Sequence, residues 1–242
     1  LKMLSLIVSE HPERLKPFVM LDPRRSGSAE LAIQCLERMD FCGVKIYPSL
    51  GYSPDPYDVL NDKHSSANLE AIYGYCEGHS IPITAHCSRG GAYGEHILPE
   101  HHIRDAYAHP RCWETVLKKH NRLILNLAHF GGDLGLVEDD SWSGAILEMM
   151  KDHPTLYADL SCNPQALERK SSVQYFKSLR RVLDDPLTRE RILFGTDWFM
   201  LRHTWTESEI VRVFGELPKD DFEQITFRNP SAFLFPNSCR PR

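Results

Sequence analysis

The feature that most constrains the fold is a regular alternation of short apolar segments with longer, helix-like ones. Each apolar segment is rich in Val, Ile, Leu, Phe or Tyr, and most end in a polar residue. Segments of this length and composition predict β-strands. The six predicted strands are 18–22, 43–47, 81–86, 123–129, 156–160 and 192–197.

Helical patterns lie between the predicted strands. The predicted helices are 28–39, 68–78, 112–119, 143–152 and 173–185. Ser28 precedes a helical pattern and is the expected N-cap of the first of these helices, because a serine side chain accepts a hydrogen bond from an unpaired amide. The spacing leaves room for one helix between successive strands. This is the pattern of βα units in a parallel sheet.

Two α/β architectures share this pattern, the open doubly wound sheet and the closed (β/α)₈ TIM barrel. The sequence contains neither the G-x-G-x-x-G nor the G-x-x-x-x-G-K-[ST] loop of nucleotide-binding sheets. Instead, ionisable residues close four separate strands: Asp22, His86, His129 and Asp197. In a barrel these strand ends meet at one mouth, where catalytic groups gather. We therefore favour the TIM barrel.

The length limits the number of domains. At 242 residues, with 42% hydrophobic side chains, the chain suits one domain spanning 1–242. Six βα units are two fewer than a TIM barrel requires. The sequence also starts at Leu1 rather than at a methionine. We expect the first two βα units to be missing from this chain and to precede Leu1.

Composition excludes several classes of partner. The net charge is −5, the isoelectric point is near 6.2, and no run of basic residues suggests binding to nucleic acid or to an anionic membrane. No apolar stretch is long enough to predict a membrane span. Seven cysteines, irregularly spaced and without a Cys-x-x-Cys pair, indicate thiols in a reducing compartment. We expect a cytoplasmic protein.

Two imidazoles and a carboxylate at strand ends suit a divalent metal ion. Zinc binds neutral histidine nitrogen and aspartate oxygen, and it leaves a position for water in catalytic sites. His86, His129 and Asp197 each follow an apolar run that should be buried in the barrel wall. The alternative is that each is a hydrogen-bonded structural residue. Three such residues on three strands favour a site.

The ordered motifs resemble one family. They are GVKIYP, ITAHC, LNLAHFGG, LYADLS, ILFGTDW and NPSAFLF, and they extend from Phe18 to Phe235. This set resembles the amidohydrolase superfamily, in particular the amidohydrolase-related branch that contains aminocarboxymuconate-semialdehyde decarboxylase. The resemblance implies a TIM barrel in which His86 binds the metal, His129 contacts metal or substrate as an acid/base or electrophile, and Asp197 binds metal and transfers a proton.

One element of the family pattern is missing. The first strand of the family ends in His-x-His, which supplies two metal ligands, and this sequence contains no His-x-His. Either those ligands precede Leu1, or the chain is a variant that lacks the full metal set. We favour the first explanation because the family's second strand is missing as well.

The resemblance implies a metal-dependent hydrolase or non-oxidative decarboxylase that acts on a small, carboxylated molecule through a metal-activated water. Zinc is the expected metal, and His129 and Asp197 are the expected catalytic residues. Two alternatives stay open. One is a metal-independent lactonase of the same branch, and the other is a non-catalytic barrel that serves as a binding subunit. A homo-oligomer is compatible with the sequence, which does not define the oligomeric state.

Three further residues are candidates for substrate binding. Arg89 follows His86 closely and could hold a substrate carboxylate through its planar guanidinium, or it could be a surface arginine. Tyr47 shares a strand face with Lys45 by the period of two. Trp198 could line the pocket beside Asp197, or it could be a packing residue. The segment 87–111 is the longest predicted loop and is expected on the same side of the barrel.

Overall fold

The sheet follows the chain in sequence order. The structure is a computed structural model that describes residues 2–91, 101–135 and 141–236. Strands β1 to β6 are Phe18–Leu21, Gly43–Ile46, Ile83–Ser88, Leu125–Gly131, Leu156–Asp159 and Ile192–Leu193. They form a six-stranded sheet in the order β1-β2-β3-β4-β5-β6, and the pairs β1–β2, β2–β3 and β5–β6 are parallel. The predicted α/β class with a parallel sheet is confirmed.

Twelve α-helices are found in the described residues. Helices α1 to α12 are Lys2–Glu10, Ser28–Arg38, Lys63–His79, His101–Ala108, Glu114–Lys119, Trp142–Asp152, Ser172–Asp184, Pro186–Arg189, Trp198–Leu201, Glu207–Phe214, Lys219–Glu223 and Asn229–Leu234. All five predicted helices are present. No helix in the described ranges is both long and apolar enough to cross a membrane.

Several predicted boundaries are wrong. Gly27, not Ser28, is the N-cap of α2, because its backbone turns at φ 71°, a conformation that glycine adopts without strain. Helix α3 begins five residues earlier than predicted, where the Asp62 carboxylate accepts a hydrogen bond from the Ser65 amide at 2.7 Å. The predicted helix 112–119 begins as the 3₁₀ turn Pro110–Trp113, which leads into α5.

The predicted loop 87–111 is also corrected. Its last part contains α4, and residues 92–100 of the predicted loop lie outside the described residues. Helices α8 to α12, which follow α7 to the end of the described chain, are not among the predicted ones. A π-helical turn at Gln224–Arg228 connects α11 to α12.

The last strand is much shorter than the predicted 192–197. After Leu193 the chain leaves the sheet, because the Phe194 amide donates to the Ile225 carbonyl at 2.9 Å rather than to a strand. Asp197 then adopts φ 47°, a left-handed conformation that ends the extended segment and starts α9. Asp197 is therefore in a turn between β6 and α9.

The chain divides into two compact units, and the first comprises Leu1–His86 and Gly90–Asn126. Its strands β1, β2 and β3 run parallel, with Val44 paired to Ile83. Helix α3 contributes Leu69, Ile72 and Tyr73 to the core, and all three side chains are fully buried. Such apolar strands covered by helices are typical of parallel sheets.

The second unit comprises Cys87–Arg89 and Leu127–Arg242. Every β4 residue in it is buried, and its core also contains Ile146 from α6 and Leu179 from α7. Tyr175 and Phe214 pack edge to face, with ring centroids 6.2 Å apart. The prediction of a single domain over 1–242 stays a prediction.

Arg191 is a buried side chain that links α6 and α8 in the second unit. Its guanidinium donates to the carbonyls of Leu187, Met150 at 2.7 Å and His153 at 3.0 Å, although the residue is only 8% exposed. Burial lowers the pKa of this arginine. Arg191 therefore supplies donors to the Met150 carbonyl of α6 and the Leu187 carbonyl of α8, and it adds a second donor to the His153 carbonyl, which also accepts the Leu156 amide at 3.1 Å.

Replacing Arg191 with methionine should remove these donors while keeping an apolar stem. Because each orphaned buried carbonyl costs about 1–3 kcal/mol, Arg191→Met should lower the free energy of unfolding by about 3 kcal/mol. Urea denaturation measures this change. Arg181→Met, at an exposed arginine of the same unit, is the control and should change stability by less than about 0.5 kcal/mol. Equal stability of the two variants would contradict the assigned role.

Candidate metal centre

The chemistry-bearing residues of the second unit follow its strands at one edge of the sheet. His129 lies in β4, Ser161 and Cys162 follow β5, and Asp197 follows β6. Parallel strands place their C-terminal ends on the same side, so residues far apart in sequence come together there. Three elements therefore supply one site.

His129, Cys162 and Asp197 form a group able to hold a metal ion. One ligand atom from each, an imidazole nitrogen, a thiol sulfur and a carboxylate oxygen, lies within 4.8 Å of the others. His129 is buried and the other two are half-buried. The structure thus brings together two of the residues predicted for the site. It adds Cys162, which the sequence analysis missed.

All three residues of the group have left-handed backbone conformations. The φ angles are 68° at His129, 50° at Cys162 and 47° at Asp197. Non-glycine residues rarely adopt these angles, which cost roughly 1–3 kcal/mol each, and such strain occurs often at functional sites. At each of these positions the left-handed backbone turns the side chain away from the direction that it would have in a regular strand. It supports a functional reason for the group.

The turn after His129 requires the two glycines that follow Phe130. Gly131 and Gly132 both have φ 76°, a conformation that glycine adopts without strain. A Cβ atom on Gly131 would lie 2.6 Å from the Cβ of Trp142, the first residue of α6. Asp133 then accepts hydrogen bonds from the Trp142 amide at 2.6 Å and from the Ser143 amide at 2.8 Å. These contacts fix the path from β4 into α6.

The His129 ring is held by residues at the end of β5. Its Nδ1 lies 3.0 Å from the Ser161 hydroxyl and 3.3 Å from the Ser161 carbonyl oxygen. The Ser161 hydroxyl donates in turn to Asp159. Asp159 also accepts the backbone amides of His129 and Ser161, both at 3.0 Å. One buried carboxylate therefore ties the two strand ends together.

Cys162 is a protonated thiol in this arrangement. Burial, together with the negative charge of the neighbouring Asp197 carboxylate, raises the pKa of the Cys162 thiol to about 12. A nearby cation reverses this preference, because metal coordination deprotonates a thiol.

His86 lies in the first unit, where it is 5% exposed. Its ring stacks on Tyr47 with centroids 4.3 Å apart, and its Nε2 lies 3.1 Å from the Gly90 carbonyl oxygen. Two predicted site residues are therefore in contact within this unit. Metal-bound histidines commonly donate their second ring nitrogen to a carbonyl in this way. The proposed pairing of His86 with Asp197 stays a prediction.

Asp22, the remaining predicted strand-end group, forms an ion pair. Arg24 donates to its two carboxylate oxygens at 2.9 and 3.0 Å, and the Arg24 guanidinium holds the pKa of the Asp22 carboxyl below its usual value. This contact satisfies Asp22 within its own loop. Asp22 is therefore engaged in an ion pair within the first unit.

The other two predicted substrate residues have aromatic or cationic neighbours. The exposed Arg89 guanidinium lies 5.3 Å from the centre of the Trp142 ring. Trp198 is 48% exposed, and Arg202 stacks over its ring at 5.2 Å and over the Phe199 ring at 5.4 Å. Trp198 therefore does not serve as core packing. Their roles in substrate binding stay predictions.

The sequence profile of the amidohydrolase family matches residues 3–235, nearly the whole chain. The chain belongs to the amidohydrolase family. This confirms the resemblance based on the strand-end motifs. Among curated proteins, none matches this amidohydrolase significantly.

Solved structures show the fold of this amidohydrolase. An uncharacterized TIM-barrel protein from Bordetella bronchiseptica matches with a TM-score of 0.68 at 18% identity, covering 96% of this chain and 71% of that one. A probable 2-pyrone-4,6-dicarboxylic acid hydrolase from Acinetobacter baumannii, with citric acid bound, matches with a TM-score of 0.64 at 13% identity. The match covers 96% of this chain and 77% of that one. 5-Carboxyvanillate decarboxylase from Sphingomonas paucimobilis matches with a TM-score of 0.60 at 10% identity, covering 96% of this chain and 70% of that one. The predicted TIM-barrel class is confirmed.

Backbone strain at Cys162 can be measured directly. Cys162→Gly should be more stable than Cys162→Ala by about 1 kcal/mol, because both lose the thiol and only alanine keeps a Cβ in the left-handed conformation. Thermal unfolding of the two variants measures the difference. Ala158→Gly, in the extended β5, is the control and should instead be less stable than the wild type. A Cys162→Ala variant at least as stable as Cys162→Gly would contradict the strained conformation.

Proposed function

We propose that the chain is a metal-dependent hydrolase or non-oxidative decarboxylase that acts on a small carboxylated molecule. The observation that carries the proposal is the convergence of His129, Cys162 and Asp197, with ligand atoms within 4.8 Å of one another and all three backbones in left-handed conformations. Membership of the amidohydrolase family supports enzymatic function. The reaction type and the metal belong to the proposal.

The residues present fit a zinc ion. Imidazole nitrogen, thiolate sulfur and carboxylate oxygen are the three protein ligand types that zinc uses, and catalytic sites commonly provide three protein ligands. A thiolate in the set disfavours magnesium and calcium, which prefer oxygen ligands. His129, Cys162 and Asp197 would hold the ion, and His86 is the further ligand that we propose from the family pattern.

When bound, the metal would supply a Lewis acid and an activated water at neutral pH. Asp197 is half-buried next to Cys162 and is the group that we assign to hold and move a proton during the reaction. His129 is the second group, positioned by Ser161 to contact the metal or the reacting atoms. These assignments give each residue a role that its position allows.

The substrate class is proposed from two structural neighbours. Both are named for reactions on ring compounds that carry carboxylates, a pyrone dicarboxylic acid and 5-carboxyvanillate. Arg89 is exposed beside Trp142 and offers a guanidinium for a substrate carboxylate. Trp198, half-exposed and next to Asp197, offers a ring face for an aromatic or heterocyclic substrate. We place this activity in the cytoplasm.

The metal requirement can be tested at Asp197. Asp197→Asn should reduce the zinc bound after purification to below a tenth of the wild-type content, because the neutral amide is a poor metal ligand. Elemental analysis of the protein measures the zinc. Asp184→Asn, at the exposed end of α7, is the matched control and should keep the wild-type content. Equal zinc in the two variants would contradict the proposed centre.

Turnover tests the enzymatic part of the proposal. Carboxylated ring compounds and lactones should be screened with the zinc-loaded protein and with the protein after chelation. Activity that chelation abolishes and zinc restores is the expected result. Lactone hydrolysis that survives chelation would favour a metal-independent lactonase. A zinc-loaded protein that converts none of these compounds would favour a binding subunit.

A further inference from the structure

Two contacts at Nδ1 of His129 indicate which ring nitrogen carries the proton. Nδ1 lies 3.3 Å from the Ser161 carbonyl oxygen, and a carbonyl can only accept a hydrogen bond. Nδ1 also lies 3.0 Å from the Ser161 hydroxyl, whose single hydrogen is directed to Asp159. That hydroxyl must therefore accept at the imidazole. Both neighbours require a proton on Nδ1.

We propose that Asp159 and Ser161 are positioning residues that hold neutral His129 in the tautomer protonated on Nδ1. The remaining nitrogen, Nε2, then carries the lone pair of the neutral ring. This inference deepens the proposed function. Its consequence for the metal centre rests on that function, because an unprotonated Nε2 can bind a metal or accept a proton. It cannot donate one while the ring is neutral.

Asp159 is suited to this role by its surroundings. It is 8% exposed and accepts the amides of His129 and Ser161 as well as the Ser161 hydroxyl. Three donors on one carboxylate fix its orientation, and the Ser161 hydroxyl is fixed with it. Asn163 reinforces the arrangement, because its side-chain amide donates to the His129 carbonyl at 3.1 Å and to the Ser161 carbonyl at 2.9 Å.

The arrangement matches what metal-bound histidines need. Their second ring nitrogen usually donates to a carboxylate, a carbonyl or another fixed acceptor, and this orients the ring and sets the tautomer. Here the acceptor is a serine hydroxyl backed by a buried carboxylate. Loss of such an outer partner typically reduces metal affinity or activity 10- to 100-fold.

Nitrogen NMR of the full chain tests the tautomer without metal or substrate. Long-range ¹H–¹⁵N correlations of the histidine rings distinguish the protonated nitrogen from the unprotonated one, and the spectrum of His129→Gln assigns the His129 signals. At a pH where the rings are neutral, the wild type should show His129 protonated on Nδ1. A wild-type ring protonated on Nε2 would overturn the proposal, and this measurement requires no variant that perturbs Asp159 or Ser161.

Two variants test the positioning residues. In Ser161→Ala and in Asp159→Asn the ratio of Nδ1–H to Nε2–H tautomers should fall about tenfold, as expected for the loss of one hydrogen bond of ordinary strength. Ser143→Ala is the matched control, a buried serine whose hydroxyl contacts Ser141, and it should leave the ratio unchanged. Unchanged ratios in both test variants would overturn the assigned roles.

Zinc titration of the same variants separates this inference from the proposed function. Ser161→Ala should bind zinc about 10-fold more weakly than Ser143→Ala. If the tautomer shifts as expected and no variant or wild-type protein binds zinc, the positioning role stands and the proposed metal centre fails. If zinc binds normally and the tautomer ratio is unchanged, the metal centre stands and the positioning role fails.

Discussion

The candidate centre depends on left-handed backbone at or just beyond the ends of three strands. His129, Cys162 and Asp197 each occupy a conformation that ordinary residues avoid, and together they place three different ligand types within 4.8 Å. Asp159 holds two of these strand ends together by accepting the amides of His129 and Ser161. The buried core of the second unit provides the rigid support that keeps the strain in place.

Much of the fold could be predicted from the sequence, because apolar strands and amphipathic helices have different periods. The strand-end rule also predicted His129 and Asp197, since both directly close an apolar run. Cys162 was missed for a physical reason. It lies beyond the last strand residue, Asp159, and enters the site only through a turn at φ 50° that no periodic pattern encodes. The polar residues that follow the fifth predicted strand were the sequence signal that could have indicated a further site residue there.

The errors in the predicted boundaries have similar causes. Ser28 fits the N-cap preference, but Gly27 takes the position because the chain needs a left-handed residue there. The sixth strand ends early because the Phe194 amide finds its acceptor in a helical segment more than 30 residues later in the chain. Such long-range hydrogen bonds override local propensity, and a single sequence does not reveal them.

A site built on strained backbone links stability to function. The same left-handed residues that destabilise the second unit also bring an imidazole nitrogen, a thiol sulfur and a carboxylate oxygen within 4.8 Å of one another. A metal ion bound there would be held by the Cys162 sulfur, after loss of its thiol proton, and by an Asp197 carboxylate oxygen. Families of this fold vary their chemistry through such strand ends while the sheet is kept.

Anomalous diffraction at the zinc absorption edge tests the central claim most directly. Crystals of the zinc-loaded protein should show a peak about 2.0–2.3 Å from a His129 ring nitrogen, the Cys162 sulfur and an Asp197 carboxylate oxygen. A peak contacted by these three residues is the result that the account predicts. Fully zinc-loaded crystals in which the ion lies elsewhere and contacts none of these three residues would contradict it.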